Sequence, residues 1–253
     1  MRRRTRSLAL ALAVLVPSLA FATGEADAPK TVDWTFAGPF GTFDMPAARR
    51  GLQVYLDVCS ACHSLRFVAY RNLVEIGLTE DQAKAIAASH EVRDGPDETG
   101  NYFMRPAGLA ERFVPPFVNE QAARFANGGA YPPDLSLMYK ARPNSANYVY
   151  SLLTGYGEPP ADVELALGMN YNAYFPGHQT AMPQPLLDDI VQYADGTPAT
   201  VDQMSRDVVQ FLAWAAEPNL STRHRMGFGV LIYLIILAGL LFAVKKQVWR
   251  DQH

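Results

Sequence analysis

Cysteine is nearly absent from this chain of 253 residues: it has two, Cys59 and Cys62, three positions apart. A framework of several disulfides is therefore excluded, and a four-ligand structural zinc site has no second cysteine pair to draw on. A positive excess is missing as well, since the formal charge is −3. The basic side chains gather at the two ends. Without the four arginines at the start the charge falls to −7, and residues 223–253 hold a further +4, so residues 23–222 carry −11. Such a body is unsuited to nucleic acid and suited to a basic soluble partner whose approach is steered and salt-dependent, although acidity for solubility alone fits the same count. No internal repeat is apparent.

Charge is also missing from two apolar runs. Residues 1–22 begin with Arg2, Arg3, Arg4 and Arg6, continue through Leu8 to Leu15, and end in Ala20-Phe21-Ala22. That is the order of a cleavable secretory signal peptide. Residues 226–244 are uncharged, long enough to cross a bilayer core as a helix, and closed by Lys245, Lys246 and Arg250. Arg223 and Arg225 precede the span, so the positive-residue count orients it weakly, and the exporting signal decides: residues 23–222 outside, the tail 245–253 in the cytoplasm.

Between them lies one domain. Residues 23–44 read as an irregular leader rich in Gly, Pro and Thr. Apolar residues at Leu52, Tyr55, Leu56 and Cys59 predict a helix over 45–62. Thr79 and Gln82 form a capping box for a helix reaching about Val92, followed by an acidic loop at 94–100. Asn119 and Ser145 are expected to cap short helices ending at Gly128-Gly129 and Gly155. Thr200 and Gln203 form a second box, opening an amphipathic helix that Pro218 stops. Residues 105–116 and 158–185 read as long loops, and loops of that length usually wrap something functional.

Both cysteines are spent in Cys59-Ser60-Ala61-Cys62-His63, a C-x-x-C-H run. Positions three apart share a helix face, so two thioethers there could hold one porphyrin edge, with His63 as the proximal iron ligand and its other ring nitrogen held by a backbone carbonyl. A disulfide, a zinc site and a chance match are the competing readings of these residues. A filled sixth position would make the iron an electron carrier, whereas an open one would make it a binding or catalytic centre. Met45, Met104, Met138, Met169, Met182, Met204, His90 and His178 are the candidates. Met182 stands out because the proline-flanked Ala181-Met182-Pro183-Gln184-Pro185 can present a thioether rigidly, whereas Met204 reads as core.

Several longer stretches carry a family resemblance. They are CSACHS at 59–64 followed by VAYRNL, PPDLS at 132–136, YVYSLLTGY at 148–156, NYNAYFPGHQTAMP at 170–183, DGTPAT at 195–200 and FLAWAAEP at 211–218. From about Trp34 to the C-terminus the chain resembles the cytochrome c1 family, in its bacterial form. The resemblance implies thioethers from Cys59 and Cys62, axial ligands His63 and Met182, a propionate paired with Arg142, and a haem pocket lined by Asn127 and the Pro132-Pro133 turn. It also implies a place beside a cytochrome b subunit and a Rieske iron–sulfur protein in a dimeric ubiquinol–cytochrome c oxidoreductase, passing electrons to a cytochrome c. Some bacterial relatives rigidify the loop near the distal methionine with an extra disulfide, and this chain has no cysteine left for one.

The expectation is therefore a mainly α-helical, class I cytochrome c-like haem domain with long loop insertions and one C-terminal transmembrane helix. It would hold one covalent haem c on the periplasmic side of a bacterial inner membrane, relaying electrons with no substrate bond made or broken. An electron carrier of another respiratory complex, a haem enzyme or gas sensor with an open site, and an anchored protein without haem are the alternatives. Glu158, Asp162 and Glu164 are the expected docking acids.

Overall fold

The computed structural model describes residues 26–161 and 163–251; the expected signal peptide at 1–22 and Asp162 lie outside the described residues. Six helices run α1 Met45–Asp57, α2 Glu80–Ala88, α3 Glu120–Ala126, α4 Ser145–Leu153, α5 Val201–Ala216 and α6 Leu220–Val248, with short 3-10 turns between. Two small antiparallel ribbons, β1 Glu91–Asp94 with β2 Phe103–Pro106 and β3 Asn170–Tyr171 with β4 Gln179–Thr180, complete the regular structure. The mainly helical haem-domain class expected from the sequence is the observed one.

The frame is the crossing of α1 with α5. Helix α1 starts where the Asp44 carboxylate accepts from Ala47 N and buries Ala48, Gly51, Leu52, Val54 and Tyr55 on one face. Helix α5 brings Met204, Val208, Phe211 and Leu212 against it. The backbones meet at Gly51, where a built Cβ would stand 1.9 Å from the Asp207 carbonyl oxygen. Alongside, the Arg50 guanidinium grips the Asp207 carboxylate with two hydrogen bonds of 2.9 and 3.0 Å, and Gln203 Nε2 donates to the same carboxylate. Asp207 is fully buried, so this pair is a desolvated one whose partners depend on each other. Tyr55 stacks at an angle on Phe113 and Phe211, filling the space between α1, α5 and the middle of the chain.

Three helix boundaries and one capping box differ from expectation, each for a local reason. Helix α1 stops at Asp57 because Ser60 Oγ takes the Leu56 carbonyl, and Cys59–Ala61 continue as a 3-10 turn. Helix α2 keeps its Thr79–Gln82 box but ends at Ala88, where Ser89 Oγ caps Ile86 O, and Val92 lies in β1. Ser145 is the first helical residue of α4; Asn144, at φ 56°, holds the cap position, and the Ser145 hydroxyl accepts from Arg142 N. Thr200 caps α5 by accepting from Gln203 N, while the Gln203 amide turns to Asp207. The expected loops also hold the end of strand β2, at Arg105 and Pro106, and the β3–β4 ribbon.

The leader has no regular structure in its described part, yet it is pinned. Trp34 Nε1 and Val32 N both donate to Asn147 Oδ1 on α4, and Lys30 Nζ donates to Thr154 Oγ1. At the other end, Glu217-Pro218-Asn219 separate α5 from α6. Helix α6 spans about 44 Å at 1.5 Å per residue and contains the expected 226–244 span, which is uncharged and not buried against the rest of the chain, as a lipid-facing segment is.

The α1–α5 approach makes Gly51→Ala a sharp test. Overpacking there is expected to cost about 1–3 kcal/mol, read as a lower guanidinium midpoint at unchanged slope; a midpoint equal to the parent's would mean the two helices are not held at contact.

Candidate functional site

Cys59 and Cys62 are free thiols at the two ends of the 3-10 turn, and Cys62 N and His63 N both donate to Cys59 O, at 3.1 and 2.8 Å. With three residues per turn, positions i and i+3 lie on one side, so the two sulfurs keep a common face although the segment is no α-helix. They differ in environment. Cys62 is exposed, whereas burial pushes the Cys59 thiol up to about 12, a place where a charged thiolate is penalised. Among the described residues no group of three or more His, Cys, Asp or Glu side chains is arranged to hold a metal ion.

His63 is oriented from behind. Its Nδ1 donates to the Pro133 carbonyl at 2.8 Å, leaving Nε2 as the free lone pair, and burial holds its pKa below the ordinary histidine value despite that bond. Tyr55 Oη, rooted in the α1–α5 core, donates to His63 O at 3.0 Å. Pro133 is itself strapped in place: Leu135 N donates to Ser64 O, Phe67 N to Ser136 Oγ, and the Asp134 carboxylate accepts from Ser64 Oγ, Arg66 N and Ser136 N at 2.8–3.0 Å. Asp134 thus sews the PPDLS strip to the residues after the C-x-x-C-H turn. This role was not expected from the sequence, although an Asp two before a Ser in a proline-led turn accepts from local backbone.

Met182 follows β4. Its N–H donates to Thr180 Oγ1 at 3.2 Å and its carbonyl accepts from Tyr156 Oη at 3.1 Å, so the peptide is held on both sides. The loop is moored to the end of α4 by Asn172, buried, whose Nδ2 donates to Leu152 O at 2.7 Å and whose Oδ1 accepts from Tyr174 N. Tyr156 and Asn172 also form an isolated antiparallel bridge. Neither was singled out from sequence. These bonds supply the rigidity for which no cysteine remains.

The remaining expected residues fall in two places. Pro132 shares a small cavity with Cys62, Tyr131, Ala123 and Asn119, while Asn127 ends α3 with its Nδ2 donating to Ala123 O. Arg142 is exposed, with its guanidinium 4.5 Å from the centre of the Tyr148 ring, and lines a second cavity with Tyr148, Tyr174 and Asp27; among the described residues no carboxylate pairs with it.

Residues 34–252 match the model of the Cytochrome C1 family. The chain is 52% identical over 215 residues to "Cytochrome c1 1, heme protein, mitochondrial" of Arabidopsis thaliana, covering 85% of this chain and 70% of the relative. It is 48% identical to the cytochrome c1 of Rhodospirillum rubrum, covering 87% of this chain and 86% of the relative. It is 51% identical to the "Cytochrome b-c1 complex catalytic subunit, mitochondrial" of Candida albicans, covering 87% and 77%. The chain belongs to the cytochrome c1 family. It is accordingly a haem protein of respiratory electron transport, associated with a membrane.

Asp134 gives a pH test. Burial alone would raise its pKa, but the hydrogen bonds from Ser136, Arg66 and Ser64 outweigh it and hold the carboxyl below its usual range. A depressed folded-state pKa means the stabilisation is present above the ordinary value near 3.8 and is lost as pH falls through the lower folded value. Asp134→Asn is therefore expected to be less stable than the parent at pH 7, with the gap closing below about pH 4. Denaturation midpoints at both pH values measure it, and a gap independent of pH would remove the carboxylate from the strap.

Proposed function

We propose that this chain carries one covalent haem c and serves as the electron-relay subunit of a respiratory ubiquinol–cytochrome c oxidoreductase, taking single electrons from a Rieske iron–sulfur protein and passing them to a cytochrome c. The observation that carries the reading is the imidazole of His63, oriented through Nδ1 by the Pro133 carbonyl, beside a C-x-x-C turn whose inner sulfur sits where charge is penalised. A thioether is uncharged and a zinc-bound thiolate is not, so the Cys59 environment fits covalent attachment through carbon and opposes a metal thiolate.

In this reading Cys59 and Cys62 would hold the macrocycle, and His63 Nε2 and the sulfur of Met182, on its doubly anchored loop, would be the iron ligands. Asn127, Pro132 and Pro133 line the pocket. Arg142, facing no carboxylate among the described residues, neutralises a propionate. When bound, the group supplies a one-electron iron couple, and thioether ligation with burial favours the reduced state, hence a fairly high potential. The chain's residues hold, orient and shield; quinol chemistry belongs to the cytochrome b subunit, in a dimeric complex.

The setting follows from the ends of the chain. The signal-like residues 1–22 and the apolar α6 support a protein of the bacterial inner membrane, with the haem domain on the periplasmic side, 226–244 in the bilayer and 245–253 in the cytoplasm. Glu158 and Glu164 are exposed on the long loop after α4 and suit a basic cytochrome c; Asp162 lies outside the described residues.

Absorption spectra of the detergent-solubilised protein test the ligation. The parent is expected to show a low-spin c-type spectrum with a weak near-infrared sulfur-to-iron band, and Met182→Leu to lose the band and bind carbon monoxide. A parent that is high-spin, or that binds carbon monoxide readily, would transfer the protein to the enzymes or sensors. For the docking acids, Glu158→Gln with Glu164→Gln should flatten the fall of cytochrome c reduction rate with ionic strength; an unchanged salt dependence would move the docking face elsewhere.

A further inference from the structure

The turn at residues 37–41, Ala37-Gly38-Pro39-Phe40-Gly41, is uncharged and points an aromatic ring outward: Phe40 is 72% exposed. Everything around it is fixed. Thr42 N donates to Thr35 O, Gly41 N to Gly38 O, and Gly38 takes φ 73°. Gly41 is buried, and a built Cβ would stand 2.3 Å from the Ala37 carbonyl oxygen, so the turn closes only on glycine. Phe43, two residues on, is core. A tightly built turn that displays a phenyl ring is holding that ring against something.

Its neighbour in the structure is α6. The Phe40 ring meets Phe228 edge to face, with centroids 5.7 Å apart. Phe228 lies two residues inside the apolar span that starts at Met226, about 3 Å along the helix. Two further bonds join turn and helix: His224 Nδ1 donates to Gly41 O at 2.8 Å, and Phe43 N donates to Ser221 Oγ at 3.1 Å. Arg223 and Arg225 flank the same turn of α6, at the level where cationic side chains meet lipid headgroups.

We infer that the 37–41 turn is a second membrane contact of the exported domain, seating Phe40 at the boundary between headgroups and acyl chains beside Phe228. The occupant is lipid, because the exposed ring is continuous with the lipid-facing side of α6 at the depth where the apolar span begins. Helix and turn together make a two-point footing, which fixes the tilt of the domain as well as its attachment. The inference rests on α6 crossing the bilayer and is independent of how the haem is ligated.

The test uses the full-length, haem-loaded chain in vesicles of phosphatidylcholine and phosphatidylglycerol. A nitroxide is placed at Phe40→Cys, with Leu231→Cys as a label within the span and Leu167→Cys, on a fully exposed side chain, as a label in water. Power saturation compares collisions with oxygen, which concentrates in acyl chains, against a water-soluble nickel chelate. At residue 40 oxygen is expected to dominate, as at 231; dominance of the nickel chelate, as at 167, overturns the inference. Pro39→Cys reads the same depth if Phe40→Cys fails to assemble. The unsubstituted chain, labelled in parallel, reports whether Cys59 and Cys62 are consumed: label appearing there counts against the haem reading without altering the depth difference at residue 40.

Discussion

Contact between two helix backbones at Gly51 and Asp207 is the constraint on which the rest of this molecule depends. Any side chain at residue 51 would push α1 away from α5, and with it the buried Arg50–Asp207 pair and the Tyr55 ring. A lone charge left in that interior costs far more than the pair contributes, so the crossing is held at one distance and one register. Tyr55 then transmits the register outward through its bond to His63 O. The C-x-x-C-H turn is thus an extension of the core, although Ala61 and Cys62 within it are exposed.

His63 and Met182, the two residues proposed as iron ligands, are held by different means. His63 is fixed through Pro133, and Pro133 through the Asp134 carboxylate, a single side chain that accepts three hydrogen bonds from both sides of the seam. Met182 is fixed through hydrogen bonds of its backbone, its N–H donating to Thr180 Oγ1 and its carbonyl accepting from Tyr156 Oη, with Asn172 tying its loop to α4. Neither arrangement uses a covalent crosslink. Polar networks of this kind act as specifiers of one geometry when every member is satisfied, and here the strap atoms have partners.

Much of this was legible in the sequence because local rules and the fold agree. The stripe of α1 and α5, the Thr79 and Asn119 caps and the uncharged 226–244 span of α6 follow from periodicity, capping chemistry and composition, and the C-x-x-C-H run stands out because both cysteines are in it. What escaped is what depends on neighbours distant in the chain. Nothing in Leu56 to Ser60 announces that a serine will take a carbonyl and turn the helix into a 3-10 turn. Ser145 looked like a cap, but Asn144 could adopt the left-handed conformation and took the position. Asp134, Tyr156 and Asn172 bond across gaps of up to 70 residues, which no window of local pattern can see.

The junction between domain and membrane helix has a consequence for movement. Three residues separate α5 from α6, Leu220 is buried, and the Glu217 carboxylate is shared between Lys140 on one side and Arg223 on the other. A joint so short and so cross-braced behaves as a stiff post and has no slack for a swinging arm. The domain ahead of α6 keeps a set height above the bilayer and rotates only as the whole helix rotates. Any traffic between this domain and its redox neighbours must then be carried by the neighbours' travel, and the search for a partner becomes a matter of who can reach a stationary platform.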